Sequence, residues 1–331
     1  MGDKMRYIDN LNTNAYFNLA SEEYFLRNRD GEFFILWRDE PCVVVGKNQN
    51  TLSEIDMDFI KKNNVKVIRR QTGGGAVFHD LGNLNYTFIV EDDGKSFNDF
   101  ERFCKPIIGA LAELGVKAEF SGRNDLLIDG KKFSGTAQCK YKNKVMHHGT
   151  LLFSSDIVNL SGALKPKQIK FSDKAVKSVV SRITNISEHL DKPIDVLDFK
   201  NKIFEYITRN VKNAKVTPLT MEEIDEIEKI KESKYETWEW NFGQSPKYNF
   251  YNEGKFKGGT VEVNIEVNKG IMKDVKIFGD FFGIEDVSKI ENALKGKKHE
   301  EKVIDDILST FEINKYFANI EKDEILNLFT K

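Results

Sequence analysis

Residues 125–140, DLLIDGKKFSGTAQCK, run directly into 141–153, YKNKVMHHGTLLF. Asp129-Gly130 stands between two apolar runs, and Asp-Gly in that setting is a strong two-residue hairpin signal. A second reversal is predicted near Asn143. Consecutive hairpins pair their strands antiparallel, which disfavours a doubly wound parallel sheet and favours a mixed α+β fold. Outward from this core, FFILW (33–37), PCVVVG (41–46), VKVIRR (65–70) and LNYTFIV (84–90) read as further strands. NAYFNLASEEYFLRN, with Ala15, Leu19 and Leu26 at helical spacing, predicts an N-terminal helix. Residues 98–114 predict an amphipathic helix stopped by Gly115.

Beyond this region, residues 161–182 carry Lys165, Lys167, Lys170, Lys174, Lys177 and Arg182 against one acid, Asp173, a local charge of +5 (six minus one). Thr220 and Glu223 form a capping box ahead of Ile224, Ile227 and Ile230. The turn-rich ETWEWNFGQSPKYN follows, and a domain boundary is placed near 246, giving units 1–245 and 246–331. In the second unit TVEVNIEV alternates apolar and polar residues, Asn268-Lys269-Gly270 turns, and IMKDVKIF returns. Helices are expected at about 285–295, 301–311 and 322–330, making a small α+β domain of ordinary size.

The 331 residues are 40% hydrophobic and 31% charged, which fits globular domains and not disorder. A formal net charge of -2 disfavours nucleic acid as a partner. Cys42, Cys104 and Cys139 are distant and odd in number, so neither a CxxC pair nor a disulfide framework is available. The start MGDKMRYIDN lacks an apolar signal region, and Arg6 breaks a myristoylation pattern at Gly2. No stretch approaches the ~20 apolar residues that span a bilayer. The expectation is a cytoplasmic protein without a membrane partner.

Three stretches could carry chemistry. RRQTGGGAVFHDLGNLNY, from Arg69, places three glycines after a strand, where backbone N–H groups can converge on an anion, with Arg70 adding a positive fork. A bare GGG is more often a flexible turn, a reading that the flanking Arg-Arg and apolar AVF weaken, and neither a Walker loop nor GxGxxG is present. GRNDLLIDGKKFSGTAQ (122–138) places Lys131 and Lys132 on opposite strand faces, so one of them can face a site. Asn124 and Asp125 there could bind a metal or a ribose, or cap a turn. In MHHGTLLF the adjacent His147 and His148 also face opposite ways, which argues against a two-His metal site. Cys139 is either a nucleophile or a small packed residue.

Taken in order, RRQTGGGAVFHDLGN, GRNDLLIDGKKFSGTAQ, HHGTLLF and KSVVSRITNI resemble the lipoate–protein ligase A family, and FKGGTVEVNIEV with KIFGDFFG resembles that family's accessory domain. The resemblance covers nearly the whole chain. It implies a catalytic domain of the biotin/lipoate-ligase type with mixed, largely antiparallel sheets. The implied reaction joins (R)-lipoate and ATP, with Mg²⁺, to give lipoyl-AMP and pyrophosphate. The acyl group then passes to a lysine of an apo lipoyl domain of a 2-oxoacid dehydrogenase E2 subunit or of the glycine-cleavage H protein.

By position, the resemblance makes Lys132 the catalytic lysine, contacting both the lipoate carboxylate and the α-phosphate. It implies nucleotide contacts from Arg70, Gly75, Ala76, Val77 and Phe78, from Asn124, Asp125 and Lys132, and from Lys174 and Ser178 in an adenylate-binding loop at about 165–184. Lipoate contacts would come from Trp37 at the far end of the acyl pocket, from Arg70, Gly73, Gly74, Gly75 and His79, and from Lys132, Gly135 and His148. Asp125 is the candidate metal ligand. The chemistry agrees: a carboxylate attacking a phosphate needs a cation between the two anions, and a mixed anhydride needs protection from water. The alternative is an octanoyl or lipoyl transferase working through a Cys139 thioester, which would need no ATP. A lipoate-binding protein without catalysis could dispense with Lys132, and no helix-turn-helix extension suggests a repressor.

Overall fold

The computed structural model describes residues 5–49, 51–122, 124–156, 163–164, 182–212, 214–242, 250–268 and 271–330. The strands of the larger unit are β1 (Met5–Asp9), β2 (Glu32–Trp37), β3 (Cys42–Val45), β4 (Lys66–Arg69), β5 (Val77–His79), β6 (Asn83–Glu91), β7 (Ala118–Ser121), β8 (Asp125–Ile128), β9 (Lys131–Tyr141), β10 (Lys144–Leu152) and β11 (Val216–Thr217). Eight of them form one sheet in the order β11-β1-β2-β6-β10-β9-β8-β7. The β8–β9–β10–β6 run is antiparallel, as the two hairpins predicted, while β1 pairs parallel with β2 and β11. A second, three-stranded sheet has the order β4-β3-β5, parallel on one side and antiparallel on the other.

The Asp129-Gly130 turn has φ of 49° and 74° at its two central residues, a type I′ geometry that matches the twist of the strands it joins. β2 is buried on both faces, which explains its uninterrupted FFILW. Phe34 and Leu36 pack with Phe103 and Ile107 of α2 (Phe100–Glu113) and with Phe199 and Ile203 of α3 (Val196–Thr208). Phe33, Ile35 and Trp37 pack on the opposite face with Leu19 and Phe25 of α1 (Ala15–Arg27). α1 is therefore a buried helix, with Asn18, Ser21, Glu22 and Glu23 enclosed along with its apolar residues.

Arg69, at the end of β4, is enclosed without a carboxylate partner among the described residues. Its guanidinium donates to the carbonyls of Gly46 (2.9 Å), Lys47 (3.0 Å), Gln49 (2.7 Å), Trp240 (3.0 Å) and Asn241 (3.3 Å), and to Thr51 Oγ1 (2.6 Å). Burial lowers its pKa to about 10.

The C-terminal unit is an antiparallel meander of β12 (Phe250–Phe256), β13 (Gly259–Asn268) and β14 (Ile271–Gly279), covered by helices over Ser288–Leu294, Glu301–Leu308 and Lys322–Thr330. The polar face of β13 is not solvated as the alternation predicted, since Glu262 and Asn264 are buried. This unit touches the larger one through Gly279 N–H, which donates to Asn48 O, through the Lys47–Asp286 pair (3.0 Å), and through Phe282 beside Phe100 and Ala137.

β1, β5, β7, β11 and β12 are strands the sequence reading did not assign. β11 has two residues, and β12 (FYNEGKF) has no buried position to give a pattern. Of the basic stretch 161–182, Ala163, Leu164 and Arg182 are described. Most of the turn-rich FGQSPKYN (242–249) around the expected domain boundary also lies outside the described residues.

Candidate active site

A cavity opens between the two sheets of the larger unit. It is lined by Trp37, Arg70, Gly74, Gly75, Ala76, Val77, His79, Asn124, Lys132, Gly135 and His148, which brings most of the residues expected from the sequence to one place. Leu19, Val44, Asn85, Thr136, Ala137, Gly149 and Thr150 also line it. Thr136, Ala137, Gly149 and Thr150 fall inside motifs noted in the sequence, but strand alternation alone did not say which side chains faced inward.

Two residues are placed elsewhere. Phe78 alternates away from its neighbours on β5 and packs with Val43, Val45 and Val67 in the core behind the small sheet. Gly73 is turned to the C-terminal unit, where a Cβ would lie 2.3 Å from the Phe281 carbonyl oxygen, so only glycine fits that contact. Lys174 and Ser178 lie outside the described residues.

At the mouth, Lys132 Nζ pairs with Asp125 Oδ1 at 2.7 Å, both side chains being somewhat more than a third exposed. The Lys132 side chain runs over Gly135, where a Cβ would come within 3.1 Å of Nζ. Lys131 is exposed on the other face, as the alternation predicted. The Lys132 backbone is bridged to the end of the basic stretch, accepting from Thr184 N–H and donating to Arg182 O (3.0 and 2.8 Å). Asn124 donates to Thr136 O at 2.5 Å.

The Arg70 fork is held by the protein's own hydroxyl and carbonyl groups. Its Nε donates to Thr72 Oγ1 (3.0 Å) and Gly73 O (3.2 Å), Nη1 to Val44 O (3.2 Å), and Nη2 to Gly73 O (2.7 Å) and Gly75 O (2.9 Å). The guanidinium thus shapes the glycine loop from within and brings a buried positive charge to the cavity. Burial lowers its pKa to about 10, with the negative charge of Glu22 opposing that shift. Gly74 adopts φ of 94°, a conformation that favours glycine.

The two histidines of β10 separate as expected. His147 stacks on Phe103 in the core (centroids 4.9 Å apart), and burial holds its imidazole well below the usual histidine range. His148 faces the cavity, with Nδ1 at 2.8 Å from Glu22 and Nε2 at 2.8 Å from Thr72 Oγ1. His79 is held by Asp39 (Nδ1 to Oδ2, 2.8 Å), and its buried Nε2 has no hydrogen-bond partner among the described residues. Trp37 is buried, with Nε1 donating to Thr87 Oγ1 at 3.0 Å. Among the described residues, the cluster with metal-ligand spacing is Asp39, Cys42 and His79, enclosed in the core, and Asp125 belongs to no such group of three.

Cys139 is not in the cavity lining. Burial and the negative charge of Glu22 push its thiol up to about 12, so it is a poor nucleophile near neutral pH, and the thioester alternative is not favoured. No helix among the described residues is long and apolar enough to cross a membrane.

Residues 14–208 match the lipoyl protein ligase A/B catalytic domain, and residues 245–329 match the bacterial lipoate protein ligase C-terminus. The chain is 44% identical over 329 residues to the lipoate-protein ligase LplJ of Bacillus subtilis (strain 168), covering 98% of this chain and 99% of that protein. It superposes on P. falciparum LipL1 in complex with lipoate with a TM-score of 0.83 at 26% identity, over 98% and 99% of the two chains. A lipoate-protein ligase A bound with ATP aligns with a TM-score of 0.63 at 25% identity, covering 74% of this chain and all of that one. The chain therefore belongs to the lipoate–protein ligase family and is an enzyme of the ligase class.

Proposed function

We propose that the cavity binds lipoate and ATP and forms lipoyl-AMP, with Lys132 as the catalytic residue. The observation that carries this reading is the position of Lys132. Among the described residues its ammonium is an accessible cation at the mouth of a cavity whose interior is apolar on one side and carries Arg70 on the other. A lipoate carboxylate oxygen attacks the α-phosphorus, and the bond to the β-phosphate oxygen breaks with release of pyrophosphate. Two anions meet in that step, and the Lys132 ammonium screens them as charge develops. In the second step the acceptor lysine amine attacks the acyl carbon, AMP leaves, and the amine loses a proton.

Mg²⁺ bound with the nucleotide would neutralise the leaving pyrophosphate, and Asp125 is the carboxylate at the mouth that would hold it. One carboxylate together with substrate phosphates is a usual Mg²⁺ donor set. The enclosed Asp39, Cys42 and His79 cluster does not suit that role. Trp37 closes the acyl end of the cavity, and His79 and His148 flank it. The remaining nucleotide contacts fall on the glycine loop, on Asn124 and on the basic stretch that rejoins the fold at Lys132.

The chain divides near 246 into a catalytic and an accessory domain. The acceptor is a lipoylatable protein, which we assign to apo lipoyl domains of 2-oxoacid dehydrogenase E2 subunits or the glycine-cleavage H protein. We place the reaction in the cytoplasm, where its three unpaired thiols would persist.

The test combines the protein with ATP, Mg²⁺, lipoate and an apo lipoyl domain and reads the acceptor by intact mass. Lipoylation that requires ATP is the expected result. Equal modification without ATP, from an acyl-carrier donor, would overturn it.

A further inference from the structure

A continuous buried polar chain runs behind the cavity, and its inner members Glu22, Thr72 and Thr87 have no part in the reaction described above. Trp37 Nε1–H donates to Thr87 Oγ1 (3.0 Å), and Thr87 Oγ1–H donates to Glu22 Oε1 (2.6 Å). On the other side, Arg70 Nε–H donates to Thr72 Oγ1 (3.0 Å), which lies 2.8 Å from His148 Nε2, and His148 Nδ1 lies 2.8 and 3.0 Å from the two Glu22 oxygens. A carboxylate only accepts, so His148 Nδ1 carries a hydrogen. Thr72 Oγ1 accepts from Arg70 and also bonds His148 Nε2, as donor or acceptor according to the protonation of that nitrogen. Two branches thus meet at Glu22, one from Trp37 and one from Arg70.

The fold makes this convergence exact in register. Thr87 is the cross-strand partner of His148 on one side and of Ile35, two residues before Trp37, on the other. Glu22 comes down onto that face from α1 and is enclosed there. A carboxylate so buried persists only where its lone pairs are filled, and here they are filled by Thr87 and His148.

Resting on the reading of the cavity as the lipoate pocket, we propose that Glu22 is a positioning residue that ties the Trp37 wall and the Arg70-held glycine loop into one hydrogen-bonded frame, so that acyl selectivity and adenylation geometry are set from a single buried anchor. The Thr87 branch holds the indole and governs which acyl chains are accepted. The Thr72 branch holds Arg70 and governs how the acid is presented to the nucleotide.

The two branches can be cut separately by near-isosteric changes. In pyrophosphate exchange with lipoate and with straight-chain acids longer than octanoate, Thr87→Val should lower the kcat/KM preference for lipoate about tenfold, the size of one hydrogen bond in a charged network. Thr87→Ser, which restores the hydroxyl, should bring the preference back. Thr72→Val should raise KM for lipoate about tenfold while leaving the chain-length preference within twofold of wild type. Glu22→Gln should show both effects. Melting curves of each variant show whether the fold is intact. Thr87→Val and Thr87→Ser with the same chain-length preference, or Thr72→Val altering chain-length preference instead of KM, would overturn the inference. Failure of the wild-type protein to form lipoyl-AMP would instead overturn the reading of the site.

Discussion

Replacing Lys132 by alanine separates catalysis from stability with one substitution. The Lys132–Asp125 pair is exposed by more than a third on both sides, so its contribution to folding is at most about 1 kcal/mol. The melting temperature of Lys132→Ala should therefore stay close to wild type. The kinetic effect should be far larger, because in the proposed reaction the ammonium acts where two anions are forced together. Removing one preorganised charge-stabilising donor costs about 3–4 kcal/mol in the transition state, or roughly 10²–10³ in rate. Lys132→Arg should not rescue it. The Lys132 side chain runs close over Gly135, and a planar guanidinium is bulkier than an ammonium and has a different hydrogen-bond geometry. Lys131→Ala, on the exposed opposite face, should be nearly silent. The assay is ATP–pyrophosphate exchange dependent on lipoate, with a thermal melt of each variant. Exchange near the wild-type rate in Lys132→Ala would refute the reasoning outright. A loss of exchange matched by a loss of fold would show that the pair is structural.

Three further outcomes are expected. Trp37→Val should admit longer or bulkier acids and lower stability by ~3 kcal/mol, since a buried indole and its bond to Thr87 are both lost; competition between lipoate and longer acids, with a melting curve, reads both effects. Cys139→Ala should retain ATP-dependent lipoylation in the same intact-mass assay, since the half-buried thiol has a raised pKa and lies outside the cavity lining. The carboxyl of Asp286 is lowered to about 2: burial opposes ionisation, but the Lys47 charge and the Ser288 N–H outweigh it. Its pairing with Lys47 is thus complete above the ordinary carboxylate pKa near 4 and is lost as the pH falls toward 2, so amide exchange at Gly279, which bonds Asn48, should rise over that interval in wild type and show no such step in Asp286→Asn.

Much of the fold was legible because its hairpins are written in local chemistry. Asp129-Gly130 supplies the positive φ that a type I′ turn needs, and FFILW betrays a strand covered on both faces. β12 gave no such signal, because every second residue is only half-buried and the rest are exposed. In the cavity, Lys132, Arg70 and Trp37 stand out as residue types, whereas Thr87, Thr72 and Glu22 do not. Thr87 is a small polar residue, like Asn85, within the largely apolar LNYTFIV, and Glu22 sits in a helix whose charged residues look solvated until the helix is found to be enclosed. Their meaning arises from contacts between positions as far as 126 residues apart, which no local pattern encodes. Phe78 and Gly73 mislead for the opposite reason. They lie inside an informative motif, but alternation and a close inter-unit contact turn them away from the cavity.

The saturation of Arg69 decides where this protein can be divided. Two of the carbonyls that receive its guanidinium belong to Trp240 and Asn241, and the Asn241 side chain also accepts the Arg69 N–H (2.9 Å). A catalytic half ending before Trp238 would leave a buried cation short of acceptors, a cost of several kcal/mol that falls one peptide bond from Arg70 and the glycine loop. A half ending after Asn241 keeps every one of those acceptors. The short helix Trp238–Asn241 is thus a splice border: it precedes the match to the C-terminal domain, yet it completes the interior of the catalytic one.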